Sequence, residues 1–240
     1  MITIEGVASP LPALILFARA PVLGRVKTRL AARIGGAAAL RLYRAFLEDA
    51  SRIYGSGPWS PVLAADPDPD DESLAILFPP PWRREAQGGG DLGMRLTESF
   101  RREFAQGAPC AVAVGSDHPA LGRAPISEAL ARVANGSAAA AVPAEDGGYC
   151  AIAFAAGAPF EEAFREIPWS TPDVLARTAE RLAHLGAAFS VLGRSYDVDR
   201  PEDLERLRLD IASRDAASAD FPRETARALA ELRGSRQGLP

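Results

Sequence analysis

Short, almost wholly apolar runs recur along this chain, and they limit its fold more than any other feature. A strand with one wet face alternates polar and apolar residues. A run that is apolar at successive positions buries both faces, as a parallel sheet covered by helices on each side requires. Residues 13–18, 59–65, 110–115, 137–142, 149–155 and 188–192 read as such strands, with 82–87 a more polar one. Between them, 35–54 carries Leu40, Tyr43, Phe46, Leu47, Ala50 and Ile53 at helical spacing, and Asp91 is placed to cap a helix running through Leu96, Phe100 and Phe104. Residues 125–133, 172–185, 201–214 and much of 221–233 also read as helices, and 66–72 as an acidic, proline-broken loop. The alternation predicts an α/β fold, Rossmann-like, with a mostly parallel central sheet and helices on both faces.

With 240 residues and 48% hydrophobic composition the chain can bury a core of useful size. No repeat or long linker divides it, so one domain over 1–240 is expected, with 1–12 a loose lead-in and 215–240 a helical extension. A net charge of −4 at pH 7 lacks the basic excess a general nucleic-acid binder needs. No apolar run approaches the roughly 18 residues of a membrane helix. The start of the chain lacks a basic stretch followed by a long apolar one, and Cys110 and Cys150 both sit in strand-like runs. A cytoplasmic protein with no membrane span is expected, with a homodimer one option for the residues after Arg214.

Ligands of such sheets bind beyond the carboxyl ends of the strands, where the chemically unusual loops of this sequence fall. After the first strand, Arg19, Arg25, Lys27 and Arg29 place four cations within eleven residues, beside Gly24. Guanidiniums fork onto phosphate oxygens and an ammonium acts as a point charge, so the loop suits a pyrophosphate; the alternative is a solvated basic turn. The spacing is not that of a Walker A loop. Lys27 is the only lysine among 27 Lys+Arg, which suggests a position needing a compact ammonium.

Asp117 follows an apolar strand directly before His118 and Pro119. A hard divalent ion such as Mg²⁺ takes few carboxylates plus phosphate oxygens, so Asp117 is a candidate metal ligand, and otherwise a turn cap. His118 reads as a pocket-lining neighbour. In Pro143-Ala144-Glu145-Asp146-Gly147-Gly148-Tyr149, the glycines let main-chain amides face a substrate while Glu145 and Asp146 can accept hydrogen bonds or a proton; the same residues also read as a plain turn. Asp197 and Asp199 point to one side of an extended strand end and can close a metal site with Asp117, unless they merely precede the helix starting at Pro201.

Five blocks in order, FARAPVLGRVKTRLA from Phe17, QGGGDLGMRL from Gln87, GSDHPAL from Gly115, PAEDGGY from Pro143 with IPWST from Ile167, and DVDRPEDL from Asp197, resemble a bacterial family of transferases with the glycosyltransferase-A fold. Some members of that family are assigned to arsenosugar biosynthesis, and the fold is similar to that of sugar-nucleotide and phospholactate nucleotidyltransferases. The resemblance runs from Leu14 to Leu207. It implies that Arg19, Lys27 and Arg29 contact nucleotide phosphates and that Gln87, Asp91 and Gly93 line the nucleotide pocket. It further implies that Asp117 binds Mg²⁺ or Mn²⁺ with Asp199 and Asp197, and that residues 146–149 with Trp169, Ser170 and Thr171 face the second substrate. His118 departs from the small residue more familiar there, and Arg200 from a threonine.

The function implied is metal-assisted transfer of a glycosyl group from a nucleotide diphosphate sugar to a small acceptor, with Asp146 the candidate acceptor-orienting base. Two alternatives stand beside it: nucleotidyl transfer from a nucleoside triphosphate to a phosphorylated acceptor, and non-catalytic nucleotide binding.

Overall fold

The computed structural model describes residues 10–237, so most of the expected lead-in lies outside the described residues. Strands β1 (Ala13–Arg19), β2 (Ser60–Asp66), β3 (Arg83–Ala86), β4 (Cys110–Gly115), β5 (Ala139–Pro143), β6 (Tyr149–Ala155) and β7 (Phe189–Val191) form one sheet in the order β3-β2-β1-β4-β6-β5-β7. Only β6 runs against its neighbours; the other pairings are parallel. The α/β class with a mostly parallel sheet is thus as the apolar runs require.

The helices are α1 (Thr28–Ile34), α2 (Gly36–Tyr54), α3 (Glu72–Leu77), α4 (Leu92–Ala105), α5 (Ala124–Ala134), α6 (Phe160–Ala163), α7 (Val174–His184), α8 (Pro201–Ala212) and α9 (Arg223–Gln237). Alternate residues of β1 serve opposite faces. Leu14, Leu16 and Ala18 join the core beneath α1, α2, α3, α5, α8 and α9, while Ala13 and Ile15 join the one beneath α4, α6 and α7. Burial on both sides explains why the strand carries no polar residue before Arg19. Among the described residues no helix is long and apolar enough to cross a membrane.

Three helices differ from the sequence expectation. Residues 66–72 read as loop, but Asp71 accepts hydrogen bonds from the Ser73 and Leu74 amides and so starts α3. Helix α1 begins inside the basic loop, at a Lys27 whose φ is +48° and whose side chain caps nothing. The four-residue α6 is too short for periodicity to reveal. At the far end, Asp49, 1% exposed, accepts from the Thr225 amide and from Arg52, whose guanidinium also donates to the Phe221 carbonyl, so the C-terminal helix docks on α2 through buried polar contacts.

The chain runs from β1 outward to β2 and β3, then crosses back to β4 on the other side of β1. The carboxyl ends of β1 and β4 therefore flank a topological switch point, the position at which open α/β sheets place their ligands.

Candidate functional site

A cleft of about 780 Å³ opens at that point. It brings together Arg19, Lys27, Arg29, Gln87, Asp117, Asp146, Gly148, Tyr149, Trp169, Ser170, Thr171, Asp197 and Asp199 from well-separated parts of the chain, with His118 also in its lining.

Lys27 organises the centre. Its side chain is 3% exposed, its Nζ lies 2.7 Å from Asp117 Oδ1, and it donates to the Val198 carbonyl at 2.6 Å. The Val198 amide in turn donates to the Asp117 carbonyl at 2.9 Å. One ammonium thus ties the loop after β1, the end of β4 and the segment before α8. The left-handed backbone of Lys27 aims the side chain inward; a lysine rarely adopts it, and such strain recurs where geometry serves a site. Tyr43 performs a similar task from α2: its hydroxyl accepts from the Arg19 amide at 3.0 Å, donates to the Arg19 carbonyl and lies 3.3 Å from Ser116 Oγ. Burial pushes its phenol well above the ordinary range, so it stays neutral.

On the β2–β3 side, Asp66 receives Arg19 Nε at 3.1 Å and Arg95 at 3.5 Å. Arg95 also donates to Gln87 Oε1 and to the Gly90 carbonyl. Gln87 lines the cleft, but its amide group is spent on the Ala18 and Ala64 carbonyls at 3.1 and 2.9 Å. Its place is that of a bracket holding β1, β2 and Arg95 in register rather than a free reader of a ligand.

On the far side, Asp146, an exposed residue of the cleft lining, accepts from the Gly148 amide through Oδ1 at 3.0 Å. Glu145 is turned away and gripped by both terminal nitrogens of Arg206, whose guanidinium lies 3.8 Å from the Tyr196 ring centre. Trp169 stands edge-on to Tyr149 and tilted against Phe164. His118 Nδ1 lies 3.1 Å from the Tyr196 carbonyl, which requires that nitrogen to carry the hydrogen, and burial holds the imidazole below its usual range. Gly115 makes room for it: a Cβ there would sit 3.1 Å from His118 Nε2. Asp197 is half-buried, and desolvation raises its carboxyl above the usual range despite the nearby His118.

Four expected residues fall outside that lining, two of which, Asp91 and Gly93, line with Gln87 a second cavity of about 500 Å³. Asp91 caps α4, accepting from the Met94 amide at 2.9 Å, because the chain needs a partner for the helix's free amides there. Gly93 is buried beneath Trp169, Gly24 lies out in the exposed turn, and Gly147 is pressed against the Pro172 backbone. The three expected metal aspartates, Asp117, Asp197 and Asp199, all line the cleft. Among the described residues no three His, Cys, Asp or Glu side chains group as a metal site; Asp117 faces Lys27 and Asp199 Oδ2 is held at 2.5 Å by Arg29. Sequence reasoning passed over Tyr43, Asp66, Arg95 and Ser116. Of these only Arg95 left a signal: four residues after the Asp91 cap, it lies on the same side of the helix.

A solved structure from Desulfovibrio desulfuricans G20, provisionally named a nucleotide-diphospho-sugar transferase, is similar at 28% identity and a TM-score of 0.82, covering 92% of this chain and 97% of the other. A cytidylyltransferase from Leptospira borgpetersenii serovar Hardjo-bovis shares the fold at 13% identity and a TM-score of 0.56, covering 97% and 99%. So does the 4-diphosphocytidyl-2C-methyl-D-erythritol synthase of Anaerococcus prevotii, at 10% and 0.55, covering 81% and 93%. No curated protein matches the sequence. Residues 50–171 match the family described as "Uncharacterized protein conserved in bacteria" (DUF2064), and the chain belongs to that family.

Proposed function

We propose that this protein transfers a glycosyl group from a nucleoside diphosphate sugar to a small hydroxyl-bearing acceptor. The observation that carries the reading is the division of one cleft into two unlike walls. Arg19, Arg25, Lys27, Arg29 and Arg95 line one side, together with the start of α1, which no side chain caps. Asp146, Gly148, Tyr149, Trp169, Ser170 and Thr171 line the other. The first wall suits a diphosphate, through guanidinium forks and free amides. The second suits the transferred sugar ring, laid against the apolar indole of Trp169, with an acceptor hydroxyl beside Asp146. The likeness at 28% identity to a protein provisionally named a nucleotide-diphospho-sugar transferase supports the same reading.

Asp117 has a half-exposed side chain in the cleft lining, so it fits a divalent ion as a single carboxylate sharing the ion with phosphate oxygens. Mg²⁺ or Mn²⁺ held there would supply positive charge beside the departing diphosphate. The chain's own groups do the rest. Lys27, Arg19 and Arg29 neutralise the diphosphate as the bond between the anomeric carbon and the phosphate oxygen breaks, its electron pair leaving with the nucleoside diphosphate. Asp146 orients the acceptor hydroxyl and takes its proton as the new carbon–oxygen bond forms. The buried thiols of Cys110 and Cys150, neither in a disulfide, support a cytoplasmic setting.

A second reading is nucleotidyl transfer, favoured by the five cations on one wall, which suit the greater charge of a triphosphate. The two are separated by incubating the protein with Mg²⁺ and either a panel of nucleotide sugars or nucleoside triphosphates with sugar 1-phosphates. Release of nucleoside diphosphate from the first panel supports glycosyl transfer. Pyrophosphate from the second alone would replace it with nucleotidyl transfer.

A further inference from the structure

Gly93 occupies the first turn of α4, and nothing in its backbone requires glycine: its φ is not among the positive ones, and alanine is the better helix former. The requirement comes from across the gap. A Cβ at position 93 would lie 2.8 Å from Trp169 Nε1, 2.9 Å from Trp169 Cζ2 and 3.1 Å from the Phe164 carbonyl oxygen. Real Cβ atoms essentially never come this close to an indole, so the indole would have to shift. Its ring meets Tyr149 at 6.4 Å and Phe164 at 6.0 Å between centres.

The segment carrying Trp169 is itself held at several points. Ile167 is buried, the Trp169 amide donates to the Ile167 carbonyl, and Thr171 Oγ1 donates to the Pro168 carbonyl at 2.7 Å. Glu166 and Ser170 both take left-handed φ values, +55° and +65°, and Arg181 pairs with Glu166 at 2.7 Å. Trp169 lines the cleft, while Gly93 and Phe164, both set against the indole, line a second cavity of about 500 Å³ that shares Gln87 with it.

We infer that Gly93 is a positioning residue: the bare backbone of α4 at that turn is the slot that holds Trp169 upright as a fixed wall for the transferred sugar ring. The assignment to the sugar rests on the glycosyl-transfer reading above; the coupling between Gly93 and Trp169 does not. With Gly93 widened, the indole must swing into the cleft or out toward solvent, and the wall is lost without any change in the phosphate-binding groups.

The test is a double-mutant cycle of Gly93→Ala and Trp169→Leu, followed by thermal unfolding, together with acrylamide quenching and ligand titration. Of the three tryptophans, Trp59 and Trp82 are 3% and 5% exposed, so quenching reports mainly on Trp169. Gly93→Ala is expected to lower the melting temperature and raise quenching in the wild-type background, and to be neutral or stabilising once Trp169 is leucine. It is expected to weaken a nucleotide sugar by about three- to tenfold, the worth of one aromatic contact, while nucleoside diphosphate affinity holds. Additive effects in the cycle would overturn the coupling. Equal weakening of both ligands would overturn the placement on the sugar side. A wild type that binds no nucleotide sugar would defeat the glycosyl-transfer reading and the sugar assignment with it, while the cycle still decides whether Gly93 positions Trp169.

Discussion

Lys27 Nζ lies 2.7 Å from Asp117 Oδ1, and the two partners are unequally placed: the lysine side chain is 3% exposed, the aspartate 49%. The charge that cannot reach water belongs to the ammonium. The lone lysine of the chain is enclosed by Asp117, the Val198 carbonyl and the Phe46 ring 5.8 Å away.

That asymmetry bears on the cost of removing each partner. Asp117→Ala removes the ion-pair partner of a buried ammonium and is expected to lose about 1–3 kcal/mol of stability, below the roughly 3–5 kcal/mol of a fully buried pair because Asp117 is half-exposed and the Val198 carbonyl still accepts from the lysine. Lys27→Met leaves a carboxylate that water can solvate and one buried carbonyl short of a donor, and is expected to cost about the same or less. Nucleoside diphosphate binding should respond strongly to Lys27→Met, weakening by about 10- to 100-fold, as for loss of one charge-assisted hydrogen bond. Urea unfolding and calorimetric titration check the two claims.

Gln87 predicts the reverse pattern. Its side-chain amide serves the carbonyls of Ala18 and Ala64, so Gln87→Ala leaves two buried acceptors short of a donor. A loss of about 1–3 kcal/mol is expected in urea unfolding. Ligand affinity should fall only as far as Arg95, released from Gln87 Oε1, drifts from its place.

Asp91 separates a cap from a ligand contact. Asp91→Ala is expected to cost about 1 kcal/mol and Asp91→Asn almost nothing, since asparagine caps nearly as well. Neither should alter nucleoside diphosphate affinity. A large loss of affinity in a stable Asp91→Asn protein would make this residue a ligand contact as well as a cap.

These residues also mark how far the sequence could be read. Strands such as β1 and β4 were legible because burial on both faces leaves a continuous apolar run. The direction of β6 was not, since Cys150 to Phe154 is buried on both faces whichever way it runs. Lys27 and Asp117 could be placed at one sheet edge from their positions after apolar strands. Asp91, Gln87 and Gly93 were placed in one pocket by resemblance and do line one cavity together, while their immediate partners are a helix terminus, two carbonyls and an indole. Such surroundings are set by contacts between distant segments and leave no local pattern. The αL backbone at Lys27, Glu166 and Ser170 is hidden for the same reason: tertiary contacts impose it on residues that do not favour it.

Asp146 is expected to act on the chemical step. One of its oxygens is fixed by the Gly148 amide, so Asp146→Asn keeps the turn and removes the proton acceptor. A fall in kcat of about 10²–10⁴-fold is expected, with donor KM little changed. Steady-state kinetics with a nucleotide sugar donor check this, and an unchanged kcat would remove Asp146 from the reaction.

His118 predicts how stability changes with pH. Its Nδ1 hydrogen faces the Tyr196 carbonyl and burial lowers its pKa, so the folded protein keeps the imidazole neutral below the pH at which an unfolded histidine takes a proton. Above the ordinary value of 6.5 both states are neutral and the residue contributes no pH dependence. As pH falls below it, the unfolded chain binds a proton that the folded one refuses, so stability drops until the folded imidazole also titrates. Asp197 acts in the opposite sense, because its raised pKa lets the folded state take up a proton first. Comparing wild type with His118→Asn isolates the histidine. In chelator-treated protein scanned from pH 7.5 to pH 5, the wild type is expected to lose melting temperature more steeply than the variant. Parallel slopes would mean that the buried imidazole is not held neutral.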